Sequence, residues 1–92
     1  MRYTTVQDIH QQINETLAKL KQERDKLRVK LNLAKMEVPD EWEITEAKLS
    51  KLEAKAKELG GVTAESAKDV GAAAKLLAEE VRDGFKNIAR HI

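Results

Sequence analysis

Two histidines, His10 and His91, are the side chains of this sequence best suited to proton transfer or metal binding near neutral pH, and they stand at opposite ends of it. Neither has an Asp, Glu or His four residues away, so neither starts a two-ligand pair on one helix face. Neither closes the Glu-x-x-His motif that builds di-iron sites in helical bundles. His10 reads as a polar residue within an apolar seam. His91 reads as an exposed helix-end residue, where positive charge suits the dipole. Glu79, Glu80 and Asp83 could attract a divalent ion, but their spacing is that of a solvated helix face. Gly60-Gly61 is no phosphate loop, because no Gly-x-Gly-x-x-Gly or Gly-Lys-Ser/Thr pattern follows a strand. The scattered Ser and Thr residues assemble no nucleophile–base pair. With no cysteine, thiolate chemistry, disulfides and Cys-ligated zinc are excluded. The expectation is a non-enzyme with no catalytic residue, no metal site and no cofactor.

The elements that carry these residues follow from composition. The chain has 92 residues, which predicts one domain over 1–92. Charged residues make up 36% and aromatic residues 3%, with one Pro and four Gly. That is the composition of long helices, and it is too poor in turn residues for a β-sandwich. The formal net charge of +1 implies no general affinity for polyanions. The N-terminal stretch shows no apolar signal region, and no run approaches the ~18 apolar residues of a membrane span. The expected location is the cytoplasm.

The apolar pattern is heptad-like. Val6, Ile13, Leu20, Leu27 and Ala34 recur every seven residues. Leu17, Leu31 and Val38 make a second series, with His10 and Arg24 at its other places. This 4-3 seam predicts a coiled-coil helix over about 5–36, capped by Thr4 or Thr5. Val38-Pro39-Asp40 predicts a turn at 37–40, and Asp40 with Glu43 reads as a capping box. The second arm, about 41–91, opens with Trp42, Thr45, Leu49, Leu52, Ala56 and Leu59. Its weak point is 60–62. A glycine pair there reads as a C-cap, and Val62-Thr63 followed by Ala67 as a new N-cap. Yet the apolar phase continues through Thr63, Ser66, Val70, Ala74, Leu77, Val81, Phe85, Ile88 and Ile92 with 4-3-4 spacing. Two interior glycines cost roughly 2 kcal/mol, which packing can offset. The expected fold is therefore all-α: an antiparallel coiled-coil hairpin whose long second arm is kinked or broken at Gly60-Gly61, with a three-helix bundle as the alternative.

The turn predicts a register in which paired residue numbers sum to about 76. Ala34 then faces Trp42, Leu31 faces Thr45, Leu27 faces Leu49, Leu20 faces Ala56, Leu17 faces Leu59, His10 faces Ser66 and Val6 faces Val70. Arg24 falls opposite Leu52, its stem over the seam and its head in water. The basic block Lys19, Lys21, Arg24, Lys26, Arg28, Lys30, Lys35 lies beside the acidic block Asp40, Glu41, Glu43, Glu46. Trp42 is expected to cap Ala34.

A continuous second arm would outrun the first helix. Val70, Ala74, Leu77, Val81, Phe85, Ile88 and Ile92 are then left as a stripe needing cover, which predicts a self-association surface and a homodimer or larger homo-oligomer. The alternative is a peripheral membrane protein that lays helix 67–92 on lipid. Lys68, Lys75, Arg82, Lys86 and Arg90 are matched there by Glu65, Asp69, Glu79, Glu80 and Asp83, and that neutrality favours protein partners. Interleaved acids and scarce aromatics speak against nucleic acid.

Two stretches carry resemblances. Residues 72–88, following a Trp-containing Glu/Lys-rich helix, resemble a family of short bacterial coiled-coil proteins with no assigned function, which implies a helical scaffold and no catalytic residues. Residues 63–73 look like one copy of the 11-residue repeat of late-embryogenesis-abundant stress proteins. A single copy among Leu and Ile seams makes that match compositional, since such proteins bury little. The expected function is a structural or adaptor coiled-coil protein.

Overall fold

A computed structural model describes residues 6–92 as three α-helices: α1 (Val6–Leu33), α2 (Asp40–Leu59) and α3 (Ala64–Ala89). No strand occurs among the described residues. The cap expected at Thr4 or Thr5, and the side chain of Val6, lie outside what is described. The helices form an elongated three-helix bundle, 49 × 23 × 17 Å, in which each helix packs on the other two.

The seams of the first two helices are where the heptads put them. Ile13, Leu17, Leu20, Leu27 and Leu31 of α1 are buried, as are Trp42, Thr45, Leu49, Leu52, Ala56 and Leu59 of α2. Leu20, Leu52 and Leu59 are among the largest fully enclosed side chains, each worth roughly 1.5–3 kcal/mol. A bridge of 3.4 Å from Lys21 Nζ to Glu53 Oε1 joins α1 to α2 two residues from the register that the turn predicts. Arg24 is half-buried and turns its guanidinium to Asp25, 3.1 Å away.

The first turn comes earlier than expected. α1 stops at Leu33, and Ala34 and Val38, predicted as seam residues, are exposed. Lys35 adopts a left-handed conformation (φ 55°), Met36 N donates to Leu31 O, and Lys35 N donates to Asn32 O, both at 3.1 Å. This is the Schellman closure, with lysine where glycine is the usual occupant. Asp40 does not build a capping box. Pro39 is the N-cap, extended and without a side-chain hydrogen bond to the helix, and its carbonyl accepts from Trp42 N at 2.9 Å. Asp40, Glu41 and Glu43 fall inside the first turn, where their charge suits the dipole.

The second arm is not one long helix. It breaks at Gly60-Gly61, and Thr63 caps a third helix by accepting from Ser66 N at 3.4 Å. Continuity of apolar phase favours the long helix, and of its residues Ala74, Val81, Phe85 and Ile88 are buried, but Thr63, Ser66 and Ile92 are exposed. The enclosed face of α3 is Ala67, Gly71, Ala74, Ala78, Val81, Gly84, Phe85 and Ile88. Ser66 is exposed, while Val70 and Leu77 are half-buried at the edge of the core. The spacing from Ala67 to Val81 is 4-3-4-3, a heptad pattern that shares Ala74 and Val81 with the predicted one and replaces Ser66, Val70 and Leu77 by their next neighbours Ala67, Gly71 and Ala78. The physical reason is proximity. A helix folded back onto two others must let both come close, and small residues do that better than Val70 or Leu77. A Cβ on Gly71 would stand 2.8 Å from Ile9 Cγ2, and one on Gly84 would overlap Thr45 Oγ1 and lie 3.0 Å from its Cγ2.

Replacing Gly84 with Ala is expected to cost about 1–3 kcal/mol through overpacking, although the same change at an open helix position would add about 1 kcal/mol. Thr45→Ala, which removes both overlapping atoms, restores part of that loss in the double variant; urea denaturation of the four species reads the coupling. At the first turn, Lys35→Gly relieves the left-handed lysine and raises stability by about 1 kcal/mol, read as a higher urea midpoint with an unchanged slope.

Candidate functional site

The fold brings the C-terminal halves of α1 and α3 side by side, running parallel. Between them lies a groove of about 280 Å³. Leu27 of α1 and Phe85 and Ala89 of α3 supply its apolar lining. Lys26 and Lys30 stand along one wall and Arg82 and Lys86 along the other, with Glu23 the only acid. All five charged side chains belong to exposed residues. None of the four cations makes an ion pair with a described residue. Leu33, one turn beyond Lys30 on α1, is 79% exposed.

Two features hold this groove in shape. Phe85 is anchored from below by Trp42, with ring centroids 6.1 Å apart and a 44° tilt, inside the range of favourable aromatic pairs. The heptad register predicts Trp42 over Ala34. The early end of α1 leaves Ala34 exposed and gives the indole to α3 instead. The second feature is the α2–α3 seam. Lys48 Nζ lies 3.7 Å from Glu80 Oε2, and Asn87 Nδ2 donates to Glu41 Oε1 at 3.2 Å. Those contacts fix the rotation of α3 and so direct Arg82 and Lys86 toward α1. The basic block of α1 and the acidic block of α2, expected to pair, do not: no ion pair joins them among the described residues. Lys26 and Lys30 of α1 remain available to solvent on the α3 side.

The residues expected to form a self-association surface are largely enclosed within one chain. Ala74, Val81, Phe85 and Ile88 lie in the core, each no more than 2% exposed. Val70 and Leu77 pack at its edge, and Ile92, 43% exposed, lies beyond the end of α3. The stripe needed cover, and the fold-back at residues 60–63 supplies it from α1 and α2. His10, which the register sets opposite Ser66, is half-buried over the interhelix turn, its Cε1 3.5 Å from where a Cβ of Gly60 would be. His91 is exposed, and its Nδ1 lies 2.7 Å from Asn87 O. Glu80 is drawn to Lys48, and no cluster of three potential metal ligands occurs among the described residues. No helix there is long and apolar enough to cross a membrane.

The groove is not legible in the sequence alone, because it needs α1 and α3 to lie side by side. One signal is present. Lys26/Lys30 and Arg82/Lys86 are both like-charge pairs at i,i+4, an arrangement that costs an isolated helix a few tenths of a kcal/mol and brings it no structural gain.

No protein-family model matches the chain, and no curated protein or solved structure matches it either. The groove is therefore judged on its own chemistry: an apolar strip framed by cations.

The Trp42–Phe85 contact generates a prediction. Phe85→Leu removes the aromatic pair while keeping an apolar side chain, costs about 1–2 kcal/mol, and shifts the emission of the single tryptophan to the red. An unchanged emission spectrum would place Trp42 away from Phe85.

Proposed function

We propose that the chain is a non-enzymatic adaptor that binds a protein partner in the α1–α3 groove, the partner segment being an amphipathic helix with acidic residues beside its apolar ones. The observation that carries this reading is the pairing of an apolar lining, Leu27, Phe85 and Ala89, with four unpaired cations on its two walls. Helix-in-groove recognition uses that division of labour. The groove floor together with the aliphatic stems of Lys26, Lys30, Arg82 and Lys86 provides the apolar contact, and the charges select the partner and its orientation. Rim charges of this kind discriminate against basic partners more than they add affinity. The shape of the bundle supports the same reading, because two parallel helices side by side offer a straight trough along which a third helix can lie.

The membrane alternative, with residues 67–92 laid on lipid, has less support. The apolar face it would use is the face buried against α1 and α2, so lipid binding by that route requires opening the bundle.

The test uses an amphipathic helical peptide with Leu at i and i+4 flanked by Glu, and a control peptide with Lys in place of Glu. The acidic peptide is expected to bind, with affinity falling about tenfold or more in a Lys30→Glu/Lys86→Glu chain and falling also with added salt. Equal binding of both peptides, or indifference to the charge reversal, would defeat the proposal. Both substitutions are at exposed positions, each in a last helical turn where a cation suits the dipole, so helical content by circular dichroism is read beside binding to separate a loss of binding from a loss of fold.

A further inference from the structure

The same molecule carries an acidic segment that matches the groove. Between the end of α1 and the second turn of α2, Val38 is 58% exposed and Ile44 is 56% exposed. Glu37, Asp40 and Glu43 are exposed beside them. None of these three carboxylates makes an ion pair or side-chain hydrogen bond with a described residue, whereas their neighbour Glu41 is held by Asn87. Asp40, Glu43, Ile44 and Ala47 share the outward face of α2, at the i, i+3, i+4 and i+7 places of a helix that docks into a groove. Trp42, Thr45, Leu49 and Leu52 bury the opposite side of the helix, so this face stands out as a short ridge, with Ile44 at the edge of the α2–α3 seam and Asp40, Glu43 and Asp83 around it. The groove is the converse, apolar along its floor and positive at its sides.

We infer that the groove's occupant is a second copy of this chain, which inserts the acidic start of its α2 between α1 and α3. This rests on the groove being a helix-binding site and goes on to name what fills it. Ile44 and Val38 of one copy supply apolar side chains to the strip of Leu27, Phe85 and Ala89 in the next. Asp40 and Glu43 meet the cations of the walls. The bundle topology determines the geometry of the assembly. α2 packs on both α1 and α3, so its outward face points away from the groove that those two helices form. One pair of copies cannot exchange both contacts at once, and the contact is heterologous. Such contacts add copies head to tail and do not stop at a closed dimer. The surface that self-associates is then not the α3 stripe, which the bundle encloses, but two charge-matched faces at its opposite sides. The contact is confined to a few turns of helix and framed by solvent-exposed charge, which makes the association weak and sensitive to salt.

Sedimentation equilibrium of the 92-residue chain, from about 10 μM to about 1 mM at low and high salt, brackets weak association. The expected result is a weight-average mass that climbs with concentration past that of a dimer at low salt and falls back as salt is added. Lys30→Glu/Lys86→Glu reverses the groove, and Asp40→Lys/Glu43→Lys reverses the ridge. Each variant alone is expected to be monomeric, and an equimolar mixture of the two is expected to associate again, because the intact ridge of the first fits the intact groove of the second. Helical content by circular dichroism shows that each variant is folded; if the ridge variant fails to fold, Glu43→Lys alone replaces it. A wild-type chain that stays monomeric up to about 1 mM at low salt overturns the inference. So does a dimer that neither reversal disturbs, or a mixture that fails to associate. If the chain is monomeric yet still takes the acidic peptide, the groove serves another protein and only the second copy is lost. If it is monomeric, ignores the peptide and is retained on phosphatidylserine vesicles through Lys30 and Lys86, a lipid surface takes the place of both.

Discussion

The bundle depends on how closely α3 can approach α2. Gly84 has no side chain where Thr45 stands, and that absence lets the two backbones come together. The close point brings Phe85, the next residue, against Trp42. It also places Lys48 by Glu80 and Asn87 by Glu41 along one line of contact. Gly71 plays the matching part against Ile9 of α1. With close approach permitted at both places, α3 fills the trough between the other helices, and Ala74, Val81 and Ile88 leave water. Larger residues at 71 and 84 would hold α3 off and leave its apolar face uncovered.

That packing also explains why the groove has its charge. Once α3 is rotated to place Phe85 inward, Arg82 and Lys86 flank it on the outward side facing α1. α1 presents Lys26 and Lys30 from the other side, because its own seam residue there is Leu27. The two walls come from helices that run parallel, so both contribute their C-terminal halves, and Lys30 and Lys86 in the last turns are favoured by the dipoles. Acids collect at the N-terminus of α2, at the same end of the bundle, for the complementary reason. The charge separation that makes one face basic and another acidic is thus partly a consequence of helix polarity. What exceeds it is the like-charge spacing on each wall and the exposure of Val38, Ile44 and Leu33, which nothing in the monomer requires.

Much of the fold was legible in the sequence. The heptads of residues 13–31 and 42–59 name the buried residues of α1 and α2 almost without error, because each helix has a broad apolar stripe and a period that admits only one face inward. Thr63 as a cap and the weakness at 60–62 were legible too, since a side-chain oxygen before a helical run and paired glycines act locally. Lys35 was not: nothing about a lysine announces a left-handed residue, and α1 ended before the last heptad places at Ala34 and Val38 could be used.

The sequence by itself determined that the chain is helical and where the first two helices bury themselves, because these depend on neighbours three, four and seven residues apart. Tertiary structure alone decided whether the second arm runs on or folds back, which face of α3 goes inward, and that a basic groove exists at all. The reason is that Ala74, Val81, Phe85 and Ile88 of α3 can be continued either through Val70 and Leu77 or through Ala67, Gly71 and Ala78, and the structure buries the second set. A linear pattern favours the larger side chains. Packing against two helices at once favours the smaller ones, because close burial along two seams outweighs what a few bulky residues at the surface would add.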